Sequence, residues 1–255
     1  MIPEREFDPQ RSIYQVRWRE GLRTIAYLYR HPYDTTQIAR VIEALSGTSV
    51  KRLLARLHSR PAGRALLAEK PSLRAALADH AWLRSLPEGS LGRTYIDYIY
   101  SERIEGGMTT VVDAGTTPAR NAALPDDEAF IQDYLFHTHD IYHLVTGYKT
   151  DLIGEVCLLA FTAAQTRNTG VIAMALLGVY SLRFPRLYGQ RMWAAAALRG
   201  LRCAWLPEQE WIAMMPLPLD TVRKRLGLYP APVYTPLYVG KGKSRRRAKA
   251  MRRAS

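Results

Sequence analysis

The chain has 255 residues, of which 36 are lysine or arginine and 23 are aspartate or glutamate, so its formal net charge is +13. Hydrophobic residues make up 47% and charged residues 23% of the chain, a composition that excludes a disordered or collagen-like protein. Eight of the net charges lie in residues 241–255, where no acid offsets them. We therefore predict a mildly basic domain over residues 1–240 and a basic, disordered tail over residues 241–255, and not a protein built to bind nucleic acid.

The cysteine count and the apolar segments limit where the protein can work. The two cysteines exclude a disulfide scaffold and favour a reducing compartment. The first residues alternate in charge and contain no apolar segment of the kind found in signal peptides. The longest apolar run, residues 171–182, is twelve residues long, whereas a helix that spans a membrane needs about 20. We expect no transmembrane helix and no signal or transit peptide.

The N-terminal third is predicted to be helical because its apolar residues recur at every third or fourth position. Asp34 is suited to cap a helix that ends at Gly47, and further helices are predicted over residues 50–57, 62–69 and 72–82. The many arginines of these helices indicate either solvated faces or a membrane-surface role. The first helix carries one apolar stripe, formed by Tyr14, Trp18, Leu22, Ile25 and Tyr29.

The middle of the chain changes character. A turn-rich segment over residues 86–92 leads into a predicted helix over residues 93–103. Residues 106–124 have no helical period and are predicted to be a long loop, within which only residues 108–112 alternate like a strand. Pro125 and the three acids after it then open another helix. These patterns predict an all-α, single-domain fold with a long mid-chain loop.

The residues with metal-binding potential follow that helix. His139 and His143 are four positions apart, so one helix face would present both imidazoles. On one straight helix Glu155 would lie about 24 Å from His139. Gly147, however, is placed to end the helix in a left-handed conformation, and a new helix is predicted to start at residue 150 or 151. The second helix can then fold back and bring the carboxylate to the histidines.

The neighbours of the two histidines admit several roles. Asp140 could be a ligand, a partner of a ligand or a solvated acid, and His137 is predicted to make a polar contact and not to be a ligand. Tyr142 and Tyr148 are predicted to be packing residues.

A pair of histidines four positions apart also arises by chance, so competing classes have to be weighed. The His-Glu-x-x-His metalloproteases need a glutamate as general base where this chain has Asp140, which argues against a protease. A metal-dependent hydrolase of the His-Asp type remains an alternative.

The full pattern resembles the signature of a known family. His139-Asp140-x-x-His143, followed after eleven residues by Glu155, resembles the signature of the ubiquinone (coenzyme Q) biosynthesis protein four family, here called the Coq-four family. The basic tail and the expected lack of a transit peptide depart from that family and indicate a bacterial or otherwise non-mitochondrial member. Segments similar to the family are the opening segment 86–92, the core block 143–148 and 154–156, and the C-terminal helix 218–227.

The resemblance implies a role in ubiquinone biosynthesis. The Coq-four family is regarded as an organiser of the biosynthetic complex and as an enzyme that oxidatively decarboxylates a prenylated hydroxybenzoate ring, replacing carboxyl by hydroxyl. It implies that His139, Asp140, His143 and Glu155 bind a divalent metal, zinc first and iron, manganese or magnesium as alternatives, and that Asp140 and Glu155 transfer protons. Because zinc is redox-inactive, an oxidative step would need dioxygen with another metal or a redox-capable substrate.

The expected ligands and partners follow from this resemblance and from the apolar segments. Residues 156–161 and 171–180, interspersed with small residues, would line a tunnel for the prenyl tail of a quinone precursor, or simply form the core. We expect a homodimer that contacts other ubiquinone-biosynthesis enzymes and an anionic membrane surface, at the cytoplasmic side of a bacterial inner membrane. We expect no specific nucleic acid. The alternative to an enzyme is a non-catalytic, lipid-binding scaffold of the biosynthetic complex.

Overall fold

A computed structural model describes most of the chain as helix. The only β pairing among the described residues is an isolated antiparallel bridge between Ser90 and Pro218, so the all-α prediction is confirmed. Nearly all of the predicted loop over 106–124, the strand-like segment 108–112 and the tail over 241–255 lie outside the described residues. The described residues are 13–31, 36–102, 123–181 and 186–237.

The helices are numbered in chain order. The N-terminal helices are α1 (Trp18–Arg30), α2 (Thr36–Leu45), α3 (Ser49–His58), α4 (Pro61–Glu69), α5 (Leu73–Ala78), α6 (His80–Ser85) and α7 (Leu91–Glu102). The C-terminal helices are α8 (Asp126–His137), α9 (His139–Thr146), α10 (Leu152–Thr166), α11 (Thr169–Ser181), α12 (Arg186–Arg202), α13 (Trp211–Met214) and α14 (Leu219–Leu226).

Two predicted helices are each divided in the structure. The segment 72–82 forms α5 and α6, because the carboxylate of Asp79 accepts a hydrogen bond from Trp82 N at 2.9 Å and caps a new helix there. The helix that opens at Pro125 forms α8, which ends at His137, and α9 begins at His139. Between them, the hydroxyl of Thr138 donates a hydrogen bond to Leu135 O. The second division makes His139 the first residue of its own short helix.

The apolar stripe predicted on the first helix is exposed at much of its surface. Trp18 is 64% and Leu22 is 61% exposed, while α1 packs on α2 through Gly21 and Leu28 on another face. A Cβ atom at Gly21 would lie 2.5 Å from Leu45, so the glycine permits this close approach. Packing of α1 is therefore set by its smallest residue and not by its largest apolar ones.

The main core surrounds α9 and α10, the two helices that carry the predicted ligands. Among its fully buried side chains are Tyr134, Tyr142, Phe161 and Trp211. A smaller apolar cluster joins α1, α2 and α11. Within the described residues, no helix is both long and apolar enough to cross a membrane.

Candidate metal centre

Helix α9 places its two histidines as the spacing predicts. The Nε2 atoms of His139 and His143 lie 3.2 Å apart. The buried His143 donates a hydrogen bond from Nδ1 to the carbonyl oxygen of Tyr148 at 2.8 Å. This bond fixes the ring orientation and directs Nε2 toward the other candidate ligands.

The turn after α9 folds back as predicted. Gly147 has a φ of +79° and caps α9 by donating to His143 O at 2.9 Å. The carboxylate of Asp151 then caps α10 by accepting from Ile153 N at 3.1 Å. Glu155 consequently lies in the first turn of α10, facing the histidines.

The three side chains form one compact group. Glu155 Oε1 lies 3.4 Å from His143 Nε2, and Glu155 Oε2 lies 3.7 Å from His139 Nε2. Their ligand atoms all lie within 4.8 Å of one another. A tetrahedral ion with bonds of about 2.0–2.1 Å would hold its ligand atoms about 3.3 Å apart, so the spacing fits a single ion. Two imidazoles and one carboxylate suit zinc, iron or manganese and leave a coordination position open.

Asp140, the fourth ligand implied by the resemblance, is not a member of this group. It is only 5% exposed, so it is not a solvated acid. Its negative charge acts to raise the pKa of His139 and of His143. The structure thus places Asp140 as a buried carboxyl group beside the three candidate ligands, and its role as a direct ligand stays a prediction.

Charges within the group oppose the effect of burial. Burial lowers the pKa of His143, but the charge of Glu155 and their hydrogen bond outweigh it and raise this pKa to about 9. Burial raises the pKa of Glu155, but the charge of His143 and their hydrogen bond bring it below its usual value. Burial and the charge of His143 lower the pKa of His139. Near neutral pH the metal-free group therefore holds one proton on His143.

Residues 231–237, here called the C-terminal strap, hold the turn between α9 and α10. The hydroxyl of Tyr234 donates to Asp151 Oδ2 at 2.7 Å and accepts from Lys149 N at 2.7 Å. Leu237 N donates to Asp151 Oδ1 at 2.8 Å. The carboxylate that caps the Glu155 helix is thus also the attachment point of the strap.

Two arginines support the other end of α9. Arg223 Nη2 donates to Leu144 O at 2.8 Å, and Arg199 Nη1 donates to Thr146 O at 3.0 Å. Cations at a helix C-terminus satisfy its last carbonyl groups and complement its dipole. Neither arginine could be predicted from the sequence, because each lies more than 50 residues from α9 and no spacing pattern connects them.

The other residues near the histidines behave largely as predicted. His137 donates from Nδ1 to Asp133 O at 2.8 Å, which confirms a polar contact. The Tyr142 ring packs against Trp211, with ring centres 5.8 Å apart, which confirms a packing role. One neighbour was not predicted: the ring of Tyr98 on α7 lies 6.2 Å from that of His143. The tyrosine-rich segment 93–103 was its only signal.

An apolar cavity of about 140 Å³ adjoins the ligand group and is lined by His139. Leu159, Thr162 and Thr166 line it from α10. They follow Glu155 by four, seven and eleven residues and so share its helix face. By the helical rise, Thr166 lies about 16 Å beyond Glu155 along the axis, so the cavity runs along α10 away from the ligands.

The cavity differs from the tunnel that the sequence predicts. Leu159 and Val171 do line it, but most of its opposite wall comes from α2 and α3. Gly178, one of the predicted small residues, brings two helices together instead: a Cβ atom there would lie 2.9 Å from Val156. For Gly178 the core interpretation therefore holds.

Comparisons with known proteins agree on one family. A family model described as coenzyme Q (ubiquinone) biosynthesis protein Coq4 matches residues 21–232. The ubiquinone biosynthesis protein COQ4 homolog, mitochondrial, of Rattus norvegicus is 29% identical over 209 residues, 79% of this chain and 74% of its own. The mitochondrial coq-4 protein of Neurospora crassa is 30% identical over 213 residues, 80% of this chain and 57% of its own.

A solved structure shares the fold. It is a crystal structure from Nostoc punctiforme of a protein assigned provisionally to ubiquinone biosynthesis. The TM-score is 0.62 with 23% identity, and the match covers 84% of this chain and 100% of that chain.

Proposed function

The chain belongs to the coenzyme Q (ubiquinone) biosynthesis protein Coq4 family, which confirms the family resemblance, and we propose that it decarboxylates a prenylated hydroxybenzoate ring in a metal-dependent reaction. One observation carries the proposal: His139, His143 and Glu155 converge into one group, and His139 also lines an apolar cavity. A substrate with a carboxylated ring and a long apolar tail matches both features at once.

His139, His143 and Glu155 would hold the metal. When bound, a divalent ion, zinc first and iron, manganese or magnesium as alternatives, would act as a Lewis acid on the ring carboxylate and the adjacent phenol oxygen. The Nδ1 bond of His143 to Tyr148 O keeps its Nε2 directed at this position. Glu155 is 39% exposed at its side chain, so a ring can reach the group from that side.

The cavity would bind the tail and orient the ring. Leu159 and Thr162 on α10 would contact the part of the tail nearest the ring, and burial of that tail excludes water from the reacting carbon. Holding the ring in one orientation also lowers the entropic cost of reaction.

Asp140 is the candidate for proton transfer. It is buried beside the histidines, where it could hold a proton for the ring carbon that loses carbon dioxide. If the carboxyl group is replaced by a hydroxyl group and not by hydrogen, the reaction is a two-electron oxidation with dioxygen as the oxidant. Atoms and electrons balance when the reaction consumes one dioxygen and one water and releases carbon dioxide and hydrogen peroxide.

The proposal is tested with Glu155→Gln in cells that lack their own copy of the gene, with Glu69→Gln, an exposed glutamate on α4, as the matched control. We expect Glu155→Gln to lose the metal and the cells to accumulate the carboxylated prenyl precursor. The Glu69→Gln protein should retain the metal and restore quinone. Normal quinone levels with Glu155→Gln would overturn the enzyme proposal.

A scaffold role is the second candidate, and an exposed apolar face on α11 favours it. Leu176 is 53% and Ile172 38% exposed, and α11 carries no charged residue, as suits a protein partner or a second copy of the chain. The scaffold role predicts that His139→Ala and Glu155→Ala still assemble the complex and restore quinone. In either role we propose that the protein works at the bacterial inner-membrane surface, where it would meet the prenylated lipid.

A further inference from the structure

Helix α1 presents an exposed face that combines apolar and basic residues. Trp18 and Leu22, one turn apart, are 64% and 61% exposed. Arg19 and Arg23, both exposed, are each about 100° further around the helix. The two pairs form adjacent parallel rows, here called the α1 face. A helix with an apolar row beside a basic row is typical of proteins that lie in the headgroup region of a bilayer.

On the side opposite the α1 face, an ion pair joins the start of α1 to a residue of α2 that lines the cavity. Arg17 pairs with Glu43 of α2 at 2.7 Å, and Glu43 lines the cavity. Arg17 also pairs with Glu20, the one acid of α1, at 3.1 Å. The helix is thereby joined to α2, and its acid is neutralised away from the α1 face.

We propose that the α1 face docks on an anionic lipid bilayer. Two arguments favour lipid over protein: the arginines complement anionic headgroups, and a tryptophan side chain is favoured at the membrane interface, where one end is apolar and the other wet. The apolar face of α11 lacks any charge and provides the contrast within the same chain. The inference rests on the proposed function in one respect: a protein that acts on a membrane-dissolved substrate has to reach the membrane.

The test measures binding of the full chain to vesicles of phosphatidylcholine with and without phosphatidylglycerol. Leu22→Glu removes the apolar row, and Leu176→Glu on α11 is a matched control of similar exposure. Measurements at about 0.5 M salt, where the Debye length is roughly 4 Å, suppress attraction by the basic tail. We expect Leu22→Glu to weaken binding about tenfold or more and Leu176→Glu to leave it unchanged.

The arginines are tested separately at low salt. Arg19→Gln combined with Arg23→Gln should reduce the preference for vesicles that contain phosphatidylglycerol. Unchanged binding by Leu22→Glu would overturn the proposal, as would equal losses in both leucine variants. A change of oligomeric state in Leu22→Glu, with vesicle binding intact, would assign the face to a second copy of the chain. Metal content, measured on the same samples, reports on the proposed function independently.

Discussion

At the scale of single residues, His143 would determine how the proposed site takes up a metal. Its pKa of about 9 means that the metal-free protein carries a proton on a ligand atom near neutral pH. A metal must displace that proton, so zinc binding should release one proton and should strengthen by about tenfold per pH unit up to pH 9. Calorimetry in buffers of different ionisation enthalpy measures this. Binding that is independent of pH between 6 and 8 would contradict it.

The role of Asp140 can be tested, because a residue that transfers protons and a residue that binds the metal respond differently to substitution. Because Asp140 lies outside the converging group, we predict that Asp140→Asn retains the metal while slowing decarboxylation by about 10²–10⁴-fold. Metal analysis beside a rate measurement checks this. Loss of the metal in Asp140→Asn would instead make Asp140 the ligand that the resemblance implies.

The sequence predicted the residues of the site that share a short helical spacing. His139 and His143 follow from a four-residue repeat, and Glu155 follows from the turn that Gly147 permits. The supporting arginine Arg199 and the ring of Tyr98 could not be predicted, because only tertiary packing brings them to α9.

At the scale of elements, the C-terminal strap is hydrogen-bonded to the turn between the two helices that carry the candidate ligands. Removing the hydroxyl in Tyr234→Phe takes away one of the hydrogen bonds to the Asp151 carboxylate and the hydrogen bond from the Lys149 amide. We predict a loss of about 1–3 kcal/mol in unfolding free energy and weaker binding of Co²⁺, followed by its absorption spectrum. Tyr180→Phe, at an exposed tyrosine of α11, is the control. Equal Co²⁺ affinities in both variants would show that the strap does not position the ligands.

The cavity depends on how whole helices pack, because one face of α10 both lines the cavity and carries Glu155. Thr162→Trp should fill its middle and weaken binding of a prenylated substrate analogue, while zinc affinity stays unchanged. Ala195→Trp, at an exposed position on α12, should affect neither. Equilibrium binding of the analogue and of zinc to the same protein separates the two effects. Undiminished analogue binding by Thr162→Trp would place the tail elsewhere.

At the scale of the whole molecule, the helical periods predicted the class of the fold and most helix positions. They could not predict which face of a helix is buried, since Gly21 decides the packing of α1 and leaves Trp18 outside. They also could not predict the cavity, whose walls come mainly from α2, α3, α8 and α10. The apolar pattern within one helix does not show which other helix packs against it.

We propose that His139, His143 and Glu155, together with the cavity beside them, carry out the decarboxylation. The direct test uses a prenylated hydroxybenzoate that is labelled at its ring carboxyl. It is incubated in vesicles with the purified, metal-loaded protein, and the released carbon dioxide is measured. We expect labelled carbon dioxide from the wild-type protein and from Glu69→Gln, and none from Glu155→Gln or after removal of the metal. Equal release from Glu155→Gln, or no release from metal-loaded wild-type protein, would contradict it.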